Sequence, residues 1–359
     1  MTHSFTISVL ATIDPVLRTS ATLNLALDLP GLVSVTHDLL DGEIRRIVAD
    51  GTGIIEDTLV PLEHSCLSCA IREDVIPTLA RLQQDGRWDA ALVALPITAE
   101  PAPLLRALED HTRRGGALGG ATYGATLTIV DGDTLEDDAF ADTFVVDHFG
   151  GLQEDDDRTV AEALAPQLAI ADAIVLISDT TPPAGAVAAA QHLRGDGARV
   201  SSATLTDIDV ALLDSKGRVR DTLERANPLR SSTRTLSDEA GVWTLRLESP
   251  HPFHPGRLRE NLHRLADHPT RARGVFWIAA RPSSACLWEG ASRQLSVGEG
   301  GTWGRRLPRT HLTITGRGEG RGAIADAFTE SLARPEELPL LMAPDADALV
   351  DWLGESDSI

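Results

Sequence analysis

The sequence predicts a doubly wound α/β domain with a mostly parallel sheet, followed by a smaller α+β domain. Three observations carry this. Short apolar runs such as residues 5–13 and 88–96 read as strands covered on both faces, as in a parallel sheet. Helix-length patterns separate such runs, so that strands and helices alternate as far as Leu213. Beyond a polar stretch, short alternating strands with a few helices take over. The expected division is residues 1–213, a linker at 214–240 and a second domain at 241–359.

Residues 5–13 are β-branched and apolar and give the first strand. Asp14-Pro15 then opens a helix, because an acidic cap followed by Pro at the first helical position is a start signal, and Pro30-Gly31 ends it. Residues 32–35 are the second strand, with polar His37-Asp38 after it, and 43–49 with 53–62 suggest a hairpin. A helix is expected at 72–84, a strand at 88–96, a helix at 102–108 and a strand at 122–130. The acidic segments 136–142 and 154–158 read as loops. Helix 160–171, strand 173–177, helix 184–193 and strand 198–205 complete the first domain. In the second, strands are expected near 243–248, 274–279, 287–288, 294–297 and 310–316, with helices opening at Pro255 and spanning 322–333.

The bulk composition excludes several classes. The 359 residues carry a net charge of −21, which argues against nucleic-acid binding through a broad basic surface. No run approaches the roughly 20 apolar residues of a membrane span. The first residues show no basic region ahead of an apolar stretch, and there are only three cysteines, so the expected location is cytoplasmic with reduced thiols. Lys216 is the only lysine.

The richest chemistry lies at residues 64–74. Cys66 and Cys69 stand at Cys-x-x-Cys spacing in a turn leading into a helix. Two thiolates so placed can share one tetrahedral metal ion, or act as a redox pair, or simply pack as small core residues. Glu63 and His64 are further candidate ligands, which places the metal reading above the redox one.

Several stretches resemble one family. Residues 65–74, ending in Arg72-Glu73-Asp74, are similar to the Gly-Cys-x-Cys-Cys run and helix start of the CobW-type P-loop GTPases, which are metallochaperones and metal-homeostasis proteins. Residues 171–176 resemble the run before that family's guanine-recognition motif. Phe253-His254-Pro255, residues 274–282 and residues 310–317 resemble its C-terminal domain. The resemblance implies a P-loop GTPase-like sheet, zinc as the bound metal and a protein client.

The departures are specific. Residues 11–20, where the resemblance places the phosphate-binding loop, contain no glycine and no lysine, and Asp14-Pro15 brings a negative charge and removes an N–H donor. Arg18 is expected as a helix-surface charge. Ala94-Leu95-Pro96-Ile97 stands where the family has Glu-x-x-Gly, and Ile177-Ser178-Asp179-Thr180 where it has Asn-Lys-x-Asp. GTP and magnesium are therefore not expected as cofactors, and no catalytic residue is assigned. Ser68 replaces the family's middle thiol, so a metal site rests on Cys66 and Cys69, completed by Glu63, His64 or a residue from elsewhere. His37, His251 and His254 are weaker candidates, and Cys286 reads as core. The expected function is a zinc-homeostasis accessory protein without GTP hydrolysis. Two alternatives stay open: an interaction factor acting under zinc limitation, with a ribosome-associated partner, and an active GTP-dependent metallochaperone.

Overall fold

The computed structural model describes residues 5–40, 42–62, 64, 66–149, 156–214, 217–229, 236–342 and 349–354. The chain forms two compact units, residues 1–136 with 163–227, and residues 137–162 with 228–359.

The first unit is built on an eight-stranded sheet of order β4-β3-β2-β5-β1-β6-β7-β8. Its strands are β1 (Thr6–Ala11), β2 (Leu32–Leu40), β3 (Glu43–Asp50), β4 (Gly53–Pro61), β5 (Ala90–Ala94), β6 (Thr122–Asp131), β7 (Ala173–Ile177) and β8 (Arg199–Ala203). The six strands from β2 to β8 in that order pair in parallel, whereas β3 and β4 form an antiparallel edge on β2. Central β1 and β5 are apolar on both faces because both faces are covered. On one side Leu10 and Leu92 pack with Leu17, Ala21 and Leu25 of α1 (Pro15–Asp28). On the other, Val9 and Val93 pack with α3 (Ile76–Asp85) and α4 (Pro101–His111).

The chain enters α3 through α2 (Leu67–Ala70) and a π-helical turn, Ile71–Val75. Ile71, Asp74, Val75, Thr78, Leu79 and Leu82 form the buried stripe of this continuous helical run. One carboxylate thus lies in an otherwise mostly apolar seam. The stretch expected as a linker contains the helix Val219–Arg225, whose Val219 and Thr222 are buried. Its Arg225 Nη1 lies 2.6 Å from Asp172 Oδ1, so this helix is docked on the first unit.

The second unit has a five-stranded antiparallel sheet of order β12-β11-β10-β13-β9. The strands are β9 (Val242–Ser249), β10 (Thr270–Phe276), β11 (Ser284–Ser292), β12 (Gln294–Thr302) and β13 (Thr310–Arg317). Helices Pro255–Ala266 and Arg321–Ser331 contribute Leu258, Ile324 and Phe328 to the main core, which also holds Phe253, Phe276 and Trp288. Phe276 and Trp288 meet edge to face at 6.0 Å, a favoured aromatic geometry. A separate cluster of Val275, Ala285 and Trp303 gathers Leu229, Trp277 and Leu287. Strand alternation sends Val275, Ala285 and Leu287 away from the main core.

Candidate metal centre

Cys66 stands at the N-cap of α2 with extended backbone, and its Sγ accepts the Cys69 N–H at 3.5 Å. Cys66 is exposed and Cys69 is buried. The two thiols are electrostatically unequal. The Cys69 N–H holds the Cys66 thiol below its ordinary pKa, with the Ser68 N–H and the Arg72 guanidinium in the same direction. The Cys66 side chain and burial push Cys69 up. Arg72 Nη2 lies 3.9 Å from the Cys69 sulfur.

The structure brings these two predicted ligands together. His64 is exposed, with its carbonyl accepting the Cys66 N–H at 2.8 Å. Glu63 lies outside the described residues. Among the described residues, no group of three or more His, Cys, Asp or Glu side chains could hold a metal ion. The donor set among the described residues is therefore a dithiol, which fits a soft or borderline ion but leaves half of a tetrahedral zinc shell to other donors.

Two of the weaker candidates, His37 and His254, have other work. His37 lies within β2, with its Nε2 2.8 Å from Asp74 Oδ2. Asp74 also binds Arg46. His254 caps the helix Pro255–Ala266, its Nδ1 accepting the Arg257 N–H at 3.4 Å. Cys286 is core in β11. Asp74 and Arg46 were not singled out from sequence. The signal was present, because an acid in a buried helical stripe requires a buried partner.

The β1–α1 junction is closed on itself. Asp14 Oδ1 accepts the N–H groups of Val16 at 2.6 Å and Leu17 at 2.9 Å. In phosphate-binding loops such first-turn N–H groups face the anion, but here the chain's own carboxylate takes them. Arg18 corrects the expectation of a surface charge. It is only 7% exposed, and its Nη1 donates to the carbonyls of His37 at 3.3 Å and Leu95 at 3.2 Å while Nη2 pairs with Asp38 at 2.5 Å. After β7, Ser178 Oγ donates to Asp133 at 3.0 Å and accepts the Thr180 N–H at 3.2 Å, forming a local turn.

A mostly parallel sheet wound by helices on both faces, followed by a smaller antiparallel-sheet domain, defines a doubly wound α/β protein with an appended domain. Residues 37–203 match the CobW/HypB/UreG nucleotide-binding domain, and residues 242–332 match the cobalamin synthesis protein cobW C-terminal domain. The chain belongs to the CobW family. The first match starts at His37, so β1, α1 and the junction between them precede it.

Among its relatives, a protein called a zinc chaperone from Mycobacterium tuberculosis is 28% identical over 284 residues, covering 76% of this chain and 68% of the relative. A protein called zinc chaperone CobW from Sinorhizobium is 29% identical over 143 residues, 38% of each chain. The crystal structure of the Zn(II)-bound YjiA GTPase from E. coli is similar with a TM-score of 0.39 and 17% identity, covering 91% of this chain and 99% of that one. No helix among the described residues is long and apolar enough to cross a membrane.

Proposed function

We propose that the chain is a zinc-handling accessory protein of the CobW family that works without GTP. The observation that carries the reading is the Cys66–Cys69 pair, one thiol exposed and biased toward thiolate, the other behind it at the start of a packed helix. Zinc would be cargo on this pair. Binding displaces thiol protons, and two thiolates leave two positions of a tetrahedral shell for donors of a protein client. A half-filled shell suits hand-over better than permanent storage. Two relatives called zinc chaperones support the choice of metal.

The closed β1–α1 junction supports the absence of GTP chemistry. No glycine or lysine lies within residues 11–20, and the Asp14 carboxylate sits on the first-turn N–H groups. A phosphate there would displace a cap and meet a negative charge.

Two titrations test the reading. Zinc competition against a chromophoric chelator gives one equivalent bound by the intact protein and none by Cys66→Ser. Calorimetric titration with GTP and magnesium gives no binding heat. Zinc binding unchanged in Cys66→Ser removes the site, and micromolar GTP affinity removes the nucleotide-free part.

A further inference from the structure

The second unit carries a cavity of about 660 Å³ beside the loop between β12 and β13. That volume lies in the range of sites that hold a compact ligand or a few side chains. Trp303, Leu307, Pro250 and Leu229 supply its apolar lining. Two features set it apart from an ordinary surface dent. Leu307 is 86% exposed, a large apolar side chain held in solvent at the cavity edge. The Trp303 ring is only 6% exposed, and its indole N–H has no hydrogen-bond partner. Buried indole N–H groups are ordinarily satisfied.

The charge around the cavity is as specific as its lining. Arg306 and Arg309 line it, and neither meets a carboxylate among the described residues. The cavity's own acid, Glu248, is paired with Arg246 at 2.8 Å. The chain as a whole carries −21, so two uncompensated guanidiniums over an apolar floor invert the local sign. Such a surface complements an apolar anchor flanked by carboxylates, and the unpaired indole N–H offers a donor to a backbone carbonyl.

We infer that this cavity docks an acidic segment of a partner protein, with one bulky apolar side chain seated against Trp303 and Leu307 and its flanking carboxylates on Arg306 and Arg309. The site is independent of the thiol pair, and its failure would leave the zinc reading intact.

The test is fluorescence polarisation of the full chain against a panel of short labelled peptides. Each carries leucine, phenylalanine or tryptophan between aspartates, and each has a counterpart with lysines in place of the aspartates. At least one acidic peptide binds saturably and weakens with added salt, while the lysine counterparts do not bind. Arg306→Glu with Arg309→Glu, and separately Leu307→Asp, each lower affinity by about tenfold or more, as for hot-spot positions. These three side chains are exposed, so at neutral pH the variants keep the parent's unfolding midpoint and its zinc stoichiometry. Failure of every acidic peptide to bind overturns the inference, as does equal affinity for the lysine counterparts or undiminished binding by the variants. Binding to anionic lipid vesicles with none to peptides overturns it as well.

Discussion

The Nε2 of His37 lies 2.8 Å from Oδ2 of Asp74, and the two residues are 1% and 4% exposed. His37 is on β2 and Asp74 on the π-helical turn that follows the cysteines. Arg46 of β3 binds the other oxygen of Asp74, and also Glu56 of β4 at 3.3 Å. This network of hydrogen bonds and ion pairs ties the helical run that begins beside Cys66 to the antiparallel edge of the sheet. The dithiol therefore stands on a helix whose position is set by buried ion pairs.

Asp74→Asn leaves Arg46 and His37 facing a neutral amide. Removing one partner of a buried pair costs roughly 3 kcal/mol, read as a lower urea midpoint. The pH dependence has a definite sign. Burial raises the Asp74 pKa, but His37 and Arg46 outweigh it and leave the group below the usual carboxylate range. Its contribution is present above the unfolded value of about 3.9 and is lost as pH falls through the folded value. The gap between parent and variant should be full at neutral pH and narrow in acid below about pH 4. A gap that widens in acid contradicts the assignment.

Arg18 is a second buried tie. Arg18→Met strips donors from the His37 and Leu95 carbonyls and leaves Asp38 unpaired. Asp38 retains partial access to water, so the expected cost is about 2 kcal/mol. Arg18→Lys recovers only part of this, because an ammonium lacks the planar fork that spans these acceptors. Denaturant unfolding of the two variants checks the order, and equal stability of Arg18→Met and parent would return Arg18 to the surface.

The contrast between Asp14 and Arg18 shows what local reading can reach. The Asp14-Pro15 start is written within three residues, because capping involves an oxygen and the N–H groups just ahead of it. The strands at β1, β5 and β7 are equally local, as largely apolar runs too short for helices. Arg18 bonds to residues 20 and 77 positions away, and no local rule reports that. The helix Val219–Arg225 was hidden for a related reason. Its polar composition reads as linker, and it is held by Asp172, 53 positions earlier. The cysteine pair was legible in position, since spacing and the following helix are local. The support beneath it, from His37, Arg46 and Asp74, is tertiary.

Asp14→Ala removes the acceptor for two first-turn N–H groups. The expected loss is about 1 kcal/mol, the usual cost of deleting a helix cap. Asp14→Asn, which retains a side-chain oxygen, should restore most of it. Thermal midpoints of the three proteins measured side by side decide this, and an Asn variant no better than Ala would show that the charge rather than the cap matters.

The two thiols should react in a fixed order. Cys66 is exposed and biased toward thiolate, whereas Cys69 is buried with its pKa pushed up. Thiolate fraction and access together govern alkylation. Iodoacetamide at neutral pH should label Cys66 first and Cys69 slowly, with Cys286 protected in the core until unfolding. Peptide mass spectrometry over time reads all three, and prior zinc loading should slow the Cys66 step. Faster labelling at Cys69 would reverse the electrostatic assignment.

His311 should act as an acid-sensitive weak point of the second unit. It is buried on β13, and burial chiefly, with Arg309, Arg246 and Arg273 adding to it against Glu248, lowers its pKa to about 4. The unfolded chain takes up this proton near pH 6.5, before the folded chain does. The neutral imidazole therefore supports the fold fully above about pH 6.5, and that support is lost as pH falls toward 4, amounting to a few kcal/mol. Denaturant midpoints measured between these limits should decline, and His311→Gln should flatten the slope. Arg309→Ser removes the largest charge influence that lowers the His311 pKa and should move the His311 proton resonance midpoint upward in an NMR titration. A midpoint already near 6.5 in the parent protein would place His311 in solvent and defeat this account.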